Sequence, residues 1–286
     1  MIYTRNIFRS GFRFAGSNEG ITLIELMVAM GVAGIVLMAI YSAYHTQTLM
    51  NRKQTVVLNM QQNLRGGLYL LEREIRMAGY DQNNTGNFGI TSISDVNGNS
   101  SITFTADIAD LNNDGIMENN GVLDSNETIS FSMYDSSTTP TVGMFDLGMV
   151  IGGGVRQLAA ESIQALFMAY AYDNDENDLL DTSANGNIIW AFDSDNNNIL
   201  DRILDTNDDG EIDINDDANG TAIGGAGIAI DKIRAVKIWL LARTKTPMLK
   251  DTDNNTYVVG NRRITPNDNF SRELLVTTIK CRNLGM

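Results

Sequence analysis

From Ile21 to Tyr44 the chain runs for 24 residues with one charge, Glu25. An apolar segment of that length crosses a bilayer as a helix, for which about 20 residues suffice. The pattern then changes rather than ends. Met60, Leu64, Leu68, Leu71 and Ile75 recur at spacings of three and four, which draws one apolar stripe along a helix. Glu72 and Arg76 stand four apart on another face, spaced to pair. Gly66-Gly67 interrupts the pattern and predicts a kink or a loosened turn, and Gly79 predicts the stop. One N-terminal helix over 21–79 is therefore expected, membrane-spanning over 21–44 and amphipathic afterwards.

Beyond Tyr80 the period shifts toward two. Ile102 to Thr105, Thr128 to Met133, Ile163 to Tyr172, Ile188 to Phe192, Ile233 to Leu241 and Leu274 to Cys281 read as strands bounded by turn residues. Asn97-Gly98 is a hairpin signal. The expected class is α+β, a long N-terminal helix packed on a mainly antiparallel β-sheet domain over 80–286. Strand order does not follow from the pattern.

Glu25 demands an explanation, because a carboxylate inside lipid is costly without a partner. Cleavage after Gly20 would supply one, placing a new α-amino group at Ile21, four residues away. A helix N-terminus also favours negative charge. The basic segment with Arg5, Arg9 and Arg13 ends before the apolar run, whereas a secretory signal is cut after its apolar core. An uncleaved anchor would suit those arginines but leaves the string Gly20-Ile21-Thr22-Leu23-Ile24-Glu25 unexplained. That string closely resembles the prepilin processing site of type IV pilins and type II secretion pseudopilins. The resemblance implies a leader over 1–20 removed by prepilin peptidase, N-methylation of Ile21, and Glu25 as the assembly glutamate. Ile21 stands where the family usually carries Phe, and Glu19 where a basic residue often precedes the glycine.

Leu70-Leu-Glu-Arg-Glu-Ile-Arg-Met-Ala-Gly-Tyr80 resembles the helix end of the PilW family of minor pilins, relatives of the J-type minor pseudopilin. Ile233-Arg-Ala-Val-Lys-Ile-Trp-Leu-Leu-Ala-Arg243 and Leu275-Val-Thr-Thr-Ile-Lys-Cys-Arg-Asn283 are similar to the same family. The resemblance implies a minor pilin that primes or caps type IV pilus assembly. Its partners would be other minor and major pilins, met through the N-terminal helix. It would cross the inner membrane of a Gram-negative bacterium once, with its domain in the periplasm and later in the pilus, at the tip. A type II secretion minor pseudopilin is the nearest alternative.

Charge adds a second theme. The net charge of −14 argues against nucleic acid and anionic lipid as partners. Asp173 to Asp217 carries fifteen acidic side chains against one base, Arg202, so this segment accounts for the whole of that charge. It marks an acidic Asp/Asn-rich insert over 173–221, which repels itself unless neutralised. Asp205, Asn207, Asp209, Gly210, Asp213 and Asp216 fall at positions 1, 3, 5, 6, 9 and 12 of an EF-hand-like loop, to which Glu211 would add its backbone carbonyl. Oxygen ligands at alternate positions suit calcium. Weaker echoes are Asp173, Asp175, Asn177 and Asp181; Asp193, Asp195, Asn197 and Asp201; and Asp110, Asn112, Asp114 and Glu118. The first two lack glycine at position six. One or more calcium ions are therefore expected, with a solvated, partly disordered acidic loop as the plainer alternative.

With one cysteine, Cys281, no intramolecular disulfide forms, and with one histidine, His45, neither a His-based triad nor a zinc cluster is expected. Gly224-Gly225-Ala226-Gly227 lacks the flanking strand and helix of a nucleotide site and reads as a flexible return from the insert. No enzyme signature stands out. A calcium-dependent binding module or adhesin on a plain membrane anchor is the rival from another class.

Overall fold

The computed structural model describes residues 20–96, 99–108, 120–136, 144–248 and 252–285. They fall into two compact units, one ending at Arg52 and one beginning at Lys53. Helix α1 spans Leu23–Ile75 and is the only α-helix among the described residues. In the first unit every side chain from Ile21 to Gln47 is exposed, and α1 is long and apolar enough to cross a membrane.

In the second unit the expected stripe faces inward. Met60, Leu64, Leu71 and Ile75 are buried, and Leu68 packs against the same core. Glu72 and Arg76 form the ion pair that their spacing predicts. The expected break at Gly66-Gly67 does not occur, and the helix runs through both. A Cβ on Gly67 would lie 2.5 Å from the Ala160 Cβ, whereas one on Gly66 would meet nothing. Gly67 thus lets helix and sheet approach each other. The helix starts two residues later than expected and ends four earlier. Two tight turns follow Ile75, and Gly79 closes them at φ +75° with its N–H on the Thr105 carbonyl. A Cβ at that position would strike Leu284 at 2.2 Å.

The strands are β1 (Ile90–Val96), β2 (Asn99–Thr105), β3 (Thr128–Tyr134), β4 (Phe145–Ile151), β5 (Gln157–Tyr172), β6 (Ala191–Phe192), β7 (Ile199–Leu200), β8 (Arg202–Ile203), β9 (Thr221–Ala222), β10 (Ile228–Ala229), β11 (Ile233–Arg243), β12 (Tyr257–Val259), β13 (Arg262–Ile264) and β14 (Arg272–Lys280). The main antiparallel sheet runs β1-β2-β3-β4-β5-β11-β14, with β6, β8 and β9 continuing from the end of β5; β7 pairs β10, and β12 pairs β13. Asn97-Gly98 lies outside the described residues, but Val96 pairs with Asn99 across it, as a hairpin requires. The pattern missed β1, where a bulge at Ile90/Ser92 breaks the period of two, and the start of β5, where the bulges opposite Phe145 to Gly148 fall; it also missed β4, although Phe145, Leu147, Met149 and Ile151 alternate along it.

Alternation is cleanest in β5 and β11, which are buried on both faces. Leu166, Met168, Tyr170, Ile238 and Leu240 share a core with the α1 stripe. Phe167, Ala169, Ala171, Trp239 and Leu241 share a second core with Trp190, Phe192 and Leu204 of the acidic segment and with Val259 of β12. Phe167 meets Trp239 and Phe192 edge-on, at 5.8 and 5.6 Å between ring centroids. Each fully buried large side chain contributes about 1.5–3 kcal/mol. The insert is therefore an ordered layer over the sheet, anchored by Trp190 and Phe192; Asp173, Asp193 and Asp216 are buried, and its other acids are exposed or half-exposed. The plainer alternative of a partly disordered loop is not what the fold contains.

Candidate functional site

Two places carry the candidate residues. At the first, Gly20 and Ile21 lead directly into α1. The Thr22 N–H and Oγ–H both donate to Glu25 Oε2 at 2.9 Å, and the Glu25 N–H donates to Thr22 Oγ1 at 3.3 Å. This is a capping box, with Thr22 as N-cap and Glu25 three residues on, and it satisfies helix-start groups that have no intrahelical partner. Reading Glu25 only as an assembly residue missed that role, although Thr-x-x-Glu is its sequence signature. The arginines at 5, 9 and 13 lie outside the described residues.

The second place is the set of acidic loops, which fold on one scheme. Asp173 accepts the N–H groups of Asn177 and Asp178. Asp193 accepts those of Asp195, Asn196, Asn197 and Asn198. Asp205 accepts those of Asp209 and Gly210. In each loop the third and fifth residues are linked side chain to side chain: Asp175 with Asn177, Asp195 with Asn197, Asn207 with Asp209. A later acid closes the turn. Asp181 accepts from the Asn174 N–H, Asp201 from Ser194, and Asp216 from Thr206 and Asp213. The missing glycine at position six is no obstacle. Asp178 and Asn198 take φ +66° and +64°, where Gly210 takes +89°; short polar side chains tolerate that region.

The loops differ in how their charge is met. Arg263 donates to the carbonyls of Asp213 and Asp216. Lys237, stacked over Trp190 and Trp239, feels the charges of Asp205 and Glu211. The 205–216 loop, the strongest candidate by spacing, thus already has bases beside it. Among the described residues it is Asp173, Asp175 and Asp181 whose carboxylate oxygens converge, within 4.8 Å of one another. Burial, and then the charges of Asp175 and Asp173, push the Asp181 carboxyl above the ordinary range. Burial works against the Asp173 carboxylate too, but the N–H groups of Asn177 and Asp178 outweigh it and hold its pKa low. Lys232 pairs with Glu176 in this loop too, and the three converging carboxylates are hard oxygen donors of the kind that fits a calcium-like cation. Asp110, Asn112, Asp114 and Glu118 lie outside the described residues.

The 193–201 loop does something that spacing did not reveal. Asn198 Oδ1 accepts the Ile93 N–H at 2.9 Å, and Asn196 Oδ1 accepts the Asp95 N–H at 2.6 Å, both on edge strand β1. Both asparagines hold left-handed backbone, at φ +64° and +63°.

A family model described as "Type IV Pilus-assembly protein W" matches residues 136–283, just over half of the chain. A second, "Prokaryotic N-terminal methylation motif", matches residues 16–41. Among solved structures, a type IV-like pilin from Thermus thermophilus is 13% identical with a TM-score of 0.40, covering 79% of this chain and 98% of its own. A search of curated proteins returned no match.

Proposed function

Because the chain belongs to the type IV pilus-assembly protein W family, we propose that it is a minor pilin that helps to initiate or cap a type IV pilus. The observation that carries this reading is the pairing, in one chain, of the methylation motif over 16–41 with the family match over 136–283. Prepilin peptidase would cut after Gly20, methylate Ile21, and release a subunit anchored through α1. Related pilins would then pack against that helix, as befits its exposed apolar surface. In this reading Glu25 has two tasks: it caps its own helix and pairs with a subunit amine during assembly.

Two variants separate those tasks. Glu25→Gln retains the capping geometry, since Gln also serves at that position, while removing the charge. Glu25→Val removes both. Both chains are expected to insert in the membrane, to recruit partner subunits poorly, and to reduce piliation severely. Co-purification of partners and filament counts by electron microscopy provide the measurement. Wild-type piliation in both would leave only a plain membrane anchor.

We propose further that the insert binds calcium, at Asp173, Asp175 and Asp181 foremost and by the shared turn scheme at the 193–201 and 205–216 loops. The segment's own excess of fourteen negative charges opposes its compaction, and a divalent cation adds to the offset that Lys232, Lys237 and Arg263 supply. Affinity on the order of 10⁻⁴–10⁻³ M is expected, as for extracellular calcium modules. Millimolar calcium should raise the thermal midpoint of the full-length chain in detergent, with a shift that grows with concentration. Asp175→Asn with Asp181→Asn keeps the turn's hydrogen-bond acceptors, so it should preserve the midpoint in chelator and lose much of the calcium-dependent rise. An identical melt in chelator and in millimolar calcium would show a layer held by its own hydrogen bonds.

A further inference from the structure

The two margins of the main sheet are kept differently. β1 is capped by Asn196 and Asn198, whereas β14 pairs with β11 alone. The Cys281 N–H donates to the Arg234 carbonyl and the Thr244 N–H to the Ser271 carbonyl, which fixes the ladder between the two strands. Opposed residues of an antiparallel pair bond in alternation, so the odd-numbered residues of β14 turn their backbone groups to β11. Those of Leu274, Val276 and Thr278 point outward, and among the described residues no hydrogen bond reaches them.

The usual protections of an edge are missing from this one. The register with β11 runs from Ala235–Lys280 to Arg243–Arg272 without a shift, so no bulge twists the strand away. From Leu274 to Ile279 there is neither a proline nor a charge. Val276 is 48% exposed, Thr278 is exposed, and Leu274 and Leu275 are half-buried. Charges of opposite sign bound the stretch. Lys280 is exposed at one end; at the other, Glu273 bonds the uncharged Gln61 amide. Arg272 lies beside Glu273 but directs its charge to Asp253 and Asp268.

We propose that β14 pairs with β14 of a second copy, antiparallel about a two-fold axis, so that two sheets join. The margin requires an extended strand, and β14 is the one long unprotected margin that the described strands of a second copy offer. The apolar residues set the register. Leu274 falls opposite Val276 of the second copy, and Leu275 opposite its own counterpart. Each Lys280 is thereby carried to the end of the other strand that bears Glu273 and Asp268. A two-fold contact closes on itself, so growth stops at two. The contact lies outside the acidic loops and the processed N-terminus and does not depend on the pilin reading.

Sedimentation equilibrium of the full-length chain in density-matched nonionic detergent should show a reversible dimer. Val276→Lys sets two like charges about 7 Å apart across the axis. It should melt as the wild type does and dimerise about tenfold or more weakly. Leu275→Cys should cross-link to itself on mild oxidation, because opposed residues outside the bonded pairs lie about 4.5 Å apart, within disulfide reach. Thr278→Cys, about 20 Å from its counterpart in this register, should not. The native Cys281 is buried and contributes no background. If the lysine chain fails to fold, the cysteine pair decides alone. A wild type that stays monomeric up to about 1 mM, a dimer indifferent to Val276→Lys, as one held through α1 would be, or no preference for cross-linking at 275 over 278 would overturn the proposal.

Discussion

A Gly20→Val chain should accumulate as an uncleaved, membrane-held precursor, with mature protein reduced to near absence. The expectation rests on where Gly20 sits. It lies two residues before the Thr22–Glu25 capping box, and a Cβ at position 20 would meet nothing within 4 Å. The chain itself therefore gains no clash from valine, and the helix start that follows keeps its hydrogen bonds. What changes is access, because only a residue without Cβ lets the backbone pass closely through a tight peptidase site. The defect should consequently appear in processing and not in folding. Intact-mass measurement of wild-type and variant chains decides it, with the wild type starting at a methylated Ile21. Normal maturation of the variant, or a native terminus at another residue, would remove the basis for every assembly role argued above.

Gly67→Val should be the most damaging single change in the folded domain, lowering stability by about 3 kcal/mol. A Cβ there would sit 2.5 Å from the Ala160 Cβ and 3.4 Å from the Ala159 carbonyl oxygen, so helix and sheet must part. Parting them loosens Leu64 and Leu71, both fully buried on either side of it. For a domain of this size the thermal midpoint should fall by roughly 6–10 °C. The neighbouring glycine is the control. Gly66 faces open space in the same helix, so Gly66→Ala should be neutral or stabilising by up to about 1 kcal/mol, through helix propensity alone. Denaturant unfolding of both variants in detergent provides the comparison. Equal destabilisation at 66 and 67 would mean that the glycine pair serves helix bending and not close packing.

That contrast shows what could be read from sequence and what could not. The stripe from Met60 to Ile75 is legible because burial repeats with the helix, and β5 and β11 because side chains alternate across a sheet. The Gly66-Gly67 pair reads locally as a weakness, since the reason for Gly67 lies about ninety residues away at Ala160. β1 and the start of β5 were hidden by bulges, which displace the period that reveals a strand. At the candidate sites the acidic loops were visible in the sequence, but which carboxylates converge was not. Spacing favours Asp205 to Asp216, yet convergence depends on which bases fold nearby. Lys237 and Arg263 come to that loop from distant strands, while Lys232 pairs with Glu176 beside the converging carboxylates of Asp173, Asp175 and Asp181.

The asparagine contacts on β1 have a bearing on polymerisation itself. If the chain assembles as proposed, its subunits would meet at high local concentration, and the outer strands of a sheet are natural templates for unwanted pairing. Head-to-tail stacking into an endless ribbon would need both margins, β1 from one molecule and β14 from the next. Asn196 and Asn198 offer Asp95 and Ile93 the carbonyl oxygens that a foreign strand would bring, an imitation of the neighbour that keeps the true one out. One blocked margin is enough to interrupt such a chain, since a heterologous contact propagates only if both of its faces are free. The acidic layer would thereby guard that margin against edge-to-edge growth, leaving the proposed ordered assembly to the helix.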